Sequence, residues 1–166
     1  MSLKELSKQY ILLASIYTGS YSRTPFEMTY RVYPGYVHVE YDEHGFLLKY
    51  KQEQYSFSYA DIESLELSVC GRRATIRQSY VLTIHIKVKE WDLEIETYDF
   101  DDAMIFCQRA PKEVFTDRLN LISLYQKLKQ NPKMFYQYLN KHNEDIFKDC
   151  PQDRRRIDFV RKSRAK

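Results

Sequence analysis

Between Tyr36 and Tyr98 apolar and polar residues alternate almost without a break, and no other feature restricts the fold as strongly. Successive side chains of a strand point to opposite faces, so this period of two specifies a sheet buried on one side. Val37, Val39 and Tyr41 share one face, with His38 and Glu40 on the other. Asp42-Glu43-His44-Gly45 is a tight hairpin signal in which Gly45 is available for a positive φ, and Phe46 to Lys51 returns from it. Tyr55, Phe57 and Tyr59 alternate with Ser56 and Ser58, and Leu65, Leu67 and Val69 repeat the pattern after Ala60-Asp61. Cys70 to Gln78 reads as a polar connection. Leu82, Ile84, Ile86 and Val88 then make the cleanest strand, turned by Lys89-Glu90 into Trp91 to Tyr98. With Glu27 to Tyr33 as a further candidate, about seven short strands at this spacing suggest a sandwich or small barrel.

Helical signals flank the sheet. Ser2 and Glu5 have capping-box spacing, and Leu3, Leu6, Tyr10, Leu13 and Tyr17 recur at three- and four-residue steps until Gly19. An amphipathic helix over residues 1–19 is the expectation. Leu119, Ile122, Leu124, Tyr125 and Leu128 predict a second helix from about Thr116 to Gln130, capped by Thr116 or Asp117. Asn131-Pro132 stops it and can start another, with Met134, Phe135, Tyr138 and Leu139 as its buried stripe. The centre of Asp99 to Lys112 fits the start of a helix or a further strand.

Strands followed by a closing helix are the order of a pleckstrin-homology-like (PH-like) barrel. Phe57-Ser58-Tyr59-Ala60-Asp61-Ile62-Glu63-Ser64-Leu65-Glu66-Leu67 resembles the pattern of bacterial PH-like domains, where an aromatic, a polar pair and an Ile enter a strand after a short turn. The resemblance covers about 27–130. It implies an α+β fold: an antiparallel, partly open barrel of about seven strands closed by a helix. Residues 1–19 then form an N-terminal helix, and 131–166 a helical extension with a basic tail. The superfamily serves mainly as a scaffold for proteins, peptides or lipids. Its phosphoinositide readers carry basic residues in the first hairpin, whereas Asp42-Glu43-His44-Gly45 is acidic, which argues against that ligand.

The chemistry-bearing residues point the same way. None of the four His lies three or four residues from another His or from a Cys, so local spacing provides no metal-ligand pair. His38 and His85, both on polar strand faces, could meet only across the sheet. No GxSxG, HExxH, P-loop or GxGxxG occurs, and 4 Gly leave little for a phosphate cradle. Catalytic, cofactor and metal residues are therefore expected to be none. Asp99, Asp101 and Asp102 could hold a divalent cation in a metal-assisted enzyme, but they also suit a charged turn before a helix. The 3 Cys lack a CxxC pair and fit a reducing, cytoplasmic setting. Tyr10 to Ile16, behind Lys4 and Lys8, is a poor signal peptide, because Glu5 intervenes and no small-x-small site follows.

Two basic groups are candidate anion sites. Arg72, Arg73 and Arg77 fall in one predicted loop, where guanidinium groups can grip phosphate or carboxylate in pairs or remain solvated. Arg154, Arg155, Arg156, Arg161 and Lys162 belong to a stretch, Lys148 to Lys166, whose net charge of +5 exceeds the +3 of the whole chain. Such a tail suits nucleic acid or an anionic membrane, or simply solubility. The body is nearly neutral and rich in Tyr, 15 in all, an amphipathic residue that suits sheets and interfaces. Recognition of a protein or peptide by an open edge or a sheet–helix groove is the leading expectation.

Overall fold

The computed structural model of the chain describes residues 1–18, 36–73 and 78–142. Helix α1 (Leu3–Gln9) precedes strands β1 (Leu12–Thr18), β2 (Tyr36–Tyr41), β3 (Gly45–Tyr50), β4 (Glu53–Ser58), β5 (Ile62–Arg73), β6 (Gln78–Val88) and β7 (Trp91–Thr97). A single 3-10 turn, Tyr59–Asp61, joins β4 to β5. Helix α2 (Phe100–Arg109), the short strand β8 (Phe115–Thr116) and helices α3 (Leu121–Leu128) and α4 (Pro132–Lys141) follow.

All eight strands belong to one sheet, ordered β4-β3-β2-β1-β7-β6-β5-β8. Strands β2–β4 form one antiparallel meander and β5–β7 another. Between them lies β1, parallel to both β2 and β7. A parallel pair needs a crossover of about a dozen residues or more, and the chain between Thr18 and Tyr36 meets that length. The α+β class therefore stands, but the sheet is mixed and not closed, where an antiparallel barrel of about seven strands was expected. The parallel pairings arise because β1 enters the middle of the sheet.

That strand comes from the second half of the expected N-terminal helix. The capping box is present, with Ser2 and Glu5 each bonded to the other's backbone N–H, yet α1 ends at Gln9. Beyond it Leu12, Ala14 and Ile16 alternate and are fully or almost fully buried. Helical and strand periods overlap here, and burial against both meanders decides for the strand. In place of one long helix, Leu3–Gln9 is a helix and Leu12–Thr18 an interior strand of the sheet.

Alternate residues of every long strand form the core face, and the helices cover it. Phe106 of α2 meets Tyr41, Phe46 and Tyr59, with ring centroids 5.8, 5.2 and 6.4 Å away. Trp91 of β7 meets Tyr55 and Phe57 of β4 at 4.6 and 5.9 Å, so the sheet curls until its first meander touches its second across the core. Phe135 and Leu139 of α4 are buried in the same core, so this helix belongs to the folded body.

Other boundaries shift for local reasons. Asp99–Lys112 resolves as helix α2, with Asp99 at its N-cap. The helix expected from Thr116 starts at Leu121, because Phe115 and Thr116 pair with Leu65 and Glu66 as β8. Asp117 still caps it, accepting from Leu121 N and Ile122 N at 2.8 and 3.0 Å. Cys70 to Arg73 continues β5 in register with β6. Gly45 has no positive φ. A methyl group there would lie 3.0 Å from the Phe57 carbonyl carbon and 3.2 Å from Ser58 Cα, so β4 crosses too closely for a side chain. The expected strand Glu27 to Tyr33 lies outside the described residues.

Candidate functional site

The β2–β3 hairpin and β4 shape a cleft of about 530 Å³ on the outward side of the first meander. Register aligns Glu40, Leu47 and Ser56 across β2, β3 and β4 as its floor, and Gly45 opposite Ser58 at its end. Asp42 and His44 form the rim. The Asp42 carboxylate accepts from the backbone N–H groups of His44 and Gly45 at 2.6 and 3.0 Å, which closes the turn. These two bonds hold its carboxyl below the usual range, so it is ionised at neutral pH. Tyr59 donates to the Asp42 carbonyl at 2.7 Å and ties the hairpin to the 3-10 turn after β4. Glu40 pairs with Lys49, and Asp61 with Lys89 at 3.0 Å.

Alongside the cleft runs the edge of the sheet. β4 pairs with β3 on one side in unbroken register from Glu53 to Ser58, and with no described strand on the other. Gln54, Ser56 and Ser58 are exposed, while Tyr55 and Phe57 turn inward. Edge strands are usually blunted by Lys, Pro, a bulge or a covering element. β4 contains neither Lys nor Pro, and its pairing has no bulge. Its one charged residue, Glu53, is turned to α1, accepting from Leu3 N at 3.2 Å and from the Tyr55 hydroxyl at 2.8 Å. At the opposite margin β8 covers only Leu65 and Glu66 of β5.

A second polar group occupies the outward face of β1 and β2. Ser15 and His38 are register partners, and the Ser15 and Tyr36 hydroxyls are hydrogen-bonded. His38 stands edge-on to Tyr36 and Tyr17, with centroids at 5.2 and 6.0 Å. His38 and His85 do not meet. They sit on β2 and β6, three strand spacings or about 14 Å apart, and His85 pairs with Asp92 instead.

The acidic cluster is dispersed into separate contacts. Asp99 accepts from Ile16 N at 2.9 Å, capping β1 where β7 has ended. Asp101 accepts from the Tyr125 hydroxyl at 2.9 Å and Asp102 from Tyr41 at 2.8 Å. Burial first, then these carboxylates, push both phenols up, Tyr125 to about 12. No group of three or more His, Cys, Asp or Glu among the described residues could hold a metal ion. Cys107 is buried in the core, which raises its thiol pKa and keeps it out of thiolate chemistry.

Of the predicted anion-binding residues, Arg72 and Arg73 lie in β5, opposite Ser79 and Gln78, not in a loop. Arg77, Arg154, Arg155, Arg156, Arg161 and Lys162 lie outside the described residues. The β4 edge and its cleft carried a sequence signal, the uncharged run Gln54 to Ser58 with its strict alternation. No helix among the described residues is long and apolar enough to cross a membrane. No family model, no curated protein and no solved structure matches the chain.

Proposed function

We propose that the chain is a non-catalytic recognition module that takes up an extended protein or peptide segment along β4. The observation that carries this reading is an edge strand that holds no Lys, Pro or bulge and has no strand beyond it among the described residues. The Ser58 N–H at its end is taken by the Asp61 carboxylate. Strand addition supplies affinity through main-chain hydrogen bonds, and the adjoining cleft supplies pockets for alternate side chains. The PH-like resemblance belongs to this proposal. Two curled antiparallel meanders followed by helices support it, and the parallel pairings of β1 are where this chain departs from that pattern.

Full-length protein and a Gln54→Lys/Ser56→Lys variant, used in parallel co-purifications at low and moderate salt, test the reading. Both substitutions fall on exposed positions, so folding is retained while the edge gains two of the charges that natural edges use for protection. A protein held at moderate salt by the unaltered chain and lost by the variant supports strand addition. Equal capture by both refutes it.

The second reading is electrostatic docking on nucleic acid or anionic lipid, and the +5 charge of Lys148 to Lys166 favours it. It requires binding that collapses with salt and with truncation after Cys150. A weaker third reading, a metal-assisted enzyme built on Asp99, Asp101 and Asp102, requires stoichiometric metal that Asp99→Ala or Asp101→Ala removes. The dispersal of the three carboxylates into separate contacts speaks against it.

A further inference from the structure

Taking β4 as the docking edge, we infer that the segment it accepts is basic, with a Lys or Arg side chain lying in the cleft over Leu47 and Ser56 and its charge at Asp42. An added strand would run about 4.8 Å beyond β4, and every second side chain would project over the outward face. Long, flexible cations suit what they meet there. The cleft is lined by two carboxylates, Glu40 and Asp42, and by no Lys or Arg. Exposed Ser56 and Ser58 are short enough to leave room for a long stem. Half-buried Leu47 offers apolar surface for methylenes while the charged head stays in water, the usual compromise of Lys and Arg.

Charge along the rest of this end agrees. Glu43 is exposed beside Asp42, and the 3-10 turn that follows β4 carries Asp61 with Glu63 just beyond it. Lys49 and Lys89 each pair with one of these acids, Glu40 and Asp61, which leaves Asp42 and Glu43 without a cation among the described ion pairs. Asp42 is committed to its turn through one oxygen, Oδ1, so its other oxygen is available to an incoming cation. An acidic segment would place like charges together at this end, a repulsion that works against the wrong partner as much as attraction favours the right one.

Three synthetic twelve-residue peptides test the inference on the full chain. They share one alternating Val/Thr frame and differ only in two outward positions, which are Lys, Gln or Glu. Binding is read by amide chemical-shift titration of Gly45 and Gln54 to Ser58. The expected result is that the Lys peptide moves these signals and binds at least tenfold more tightly than the Glu peptide. Asp42→Asn/Glu43→Gln, which keeps the turn acceptor and removes both charges, should reduce that ratio to about threefold or less. Equal binding of all three peptides at β4 overturns the basic preference and leaves the docking edge standing. Failure of all three to move β4 signals overturns both, as does a preference for Lys that maps elsewhere on the chain.

Discussion

Replacing Gly45 with alanine tests the close crossing on which the cleft is built. The added methyl would lie 3.0 Å from the Phe57 carbonyl carbon and 3.2 Å from Ser58 Cα, and nearer still to the Phe57 oxygen. Comfortable carbon contacts are about 3.5–4.0 Å. All three atoms are backbone, so no side chain can swing away, and β4 itself must retreat from β3. Overpacking of this kind costs about 1–3 kcal/mol. Losing one ladder hydrogen bond at the Gly45–Ser58 end adds about 1 kcal/mol. The sum, about 2–4 kcal/mol, lowers the melting temperature of a chain this size by roughly 5–15 °C. Thermal and urea unfolding followed by circular dichroism measure it, and Ala60→Gly serves as an exposed control. A Gly45→Ala protein within about 0.5 kcal/mol of the parent would show that β3 and β4 are not packed this closely.

Three further outcomes follow from the same structure. Lys51 adopts φ 54 in the two-residue turn between β3 and β4, so Lys51→Gly relieves a left-handed conformation and should stabilise by about 0.5–1 kcal/mol in urea unfolding. Phe135 is buried against Phe100, Tyr125 and Tyr136, and Phe135→Ala should cost about 3–5 kcal/mol in the same assay; a loss below 1 kcal/mol would detach α4 from the core. Burial raises the Tyr59 and Tyr125 phenols to about 12 and lifts Tyr41 as well. The folded state therefore holds protons that the unfolded chain releases near 10, so stability is complete below pH 10 and falls between about 10 and 12. Melting temperature against pH, with phenolate absorbance at 295 nm, reads both the loss and its cause.

Much of the sheet was legible because each strand from β2 to β7 carries its own alternation and its own turn. The centre of the sheet was not. Leu3 to Tyr17 satisfies a helical period along its whole length, and only the space between two meanders makes Leu12, Ala14 and Ile16 the better buried set. Parallel pairing leaves no local mark, since β1 and its neighbours are joined through long-range contacts and not through a hairpin. The hairpin signal suggested a positive φ at Gly45, which it does not adopt; its constraint comes instead from a strand that returns twelve residues later. Asp99, Asp101 and Asp102 look like a cluster in sequence. Three partners on different elements, Ile16, Tyr125 and Tyr41, draw their side chains apart. An unblocked β4 was visible as composition, yet its place at the sheet edge depends on the strand order.

Amide hydrogen exchange across Gln54 to Ser58, in the full-length chain with and without its captured partner, tests strand addition most directly. Binding along β4 should slow the outward-facing amides of this strand at least tenfold, with Gly45 and the hairpin beside them. A partner that binds tightly, protects other elements and leaves β4 exchanging as in the free protein would contradict the proposed site.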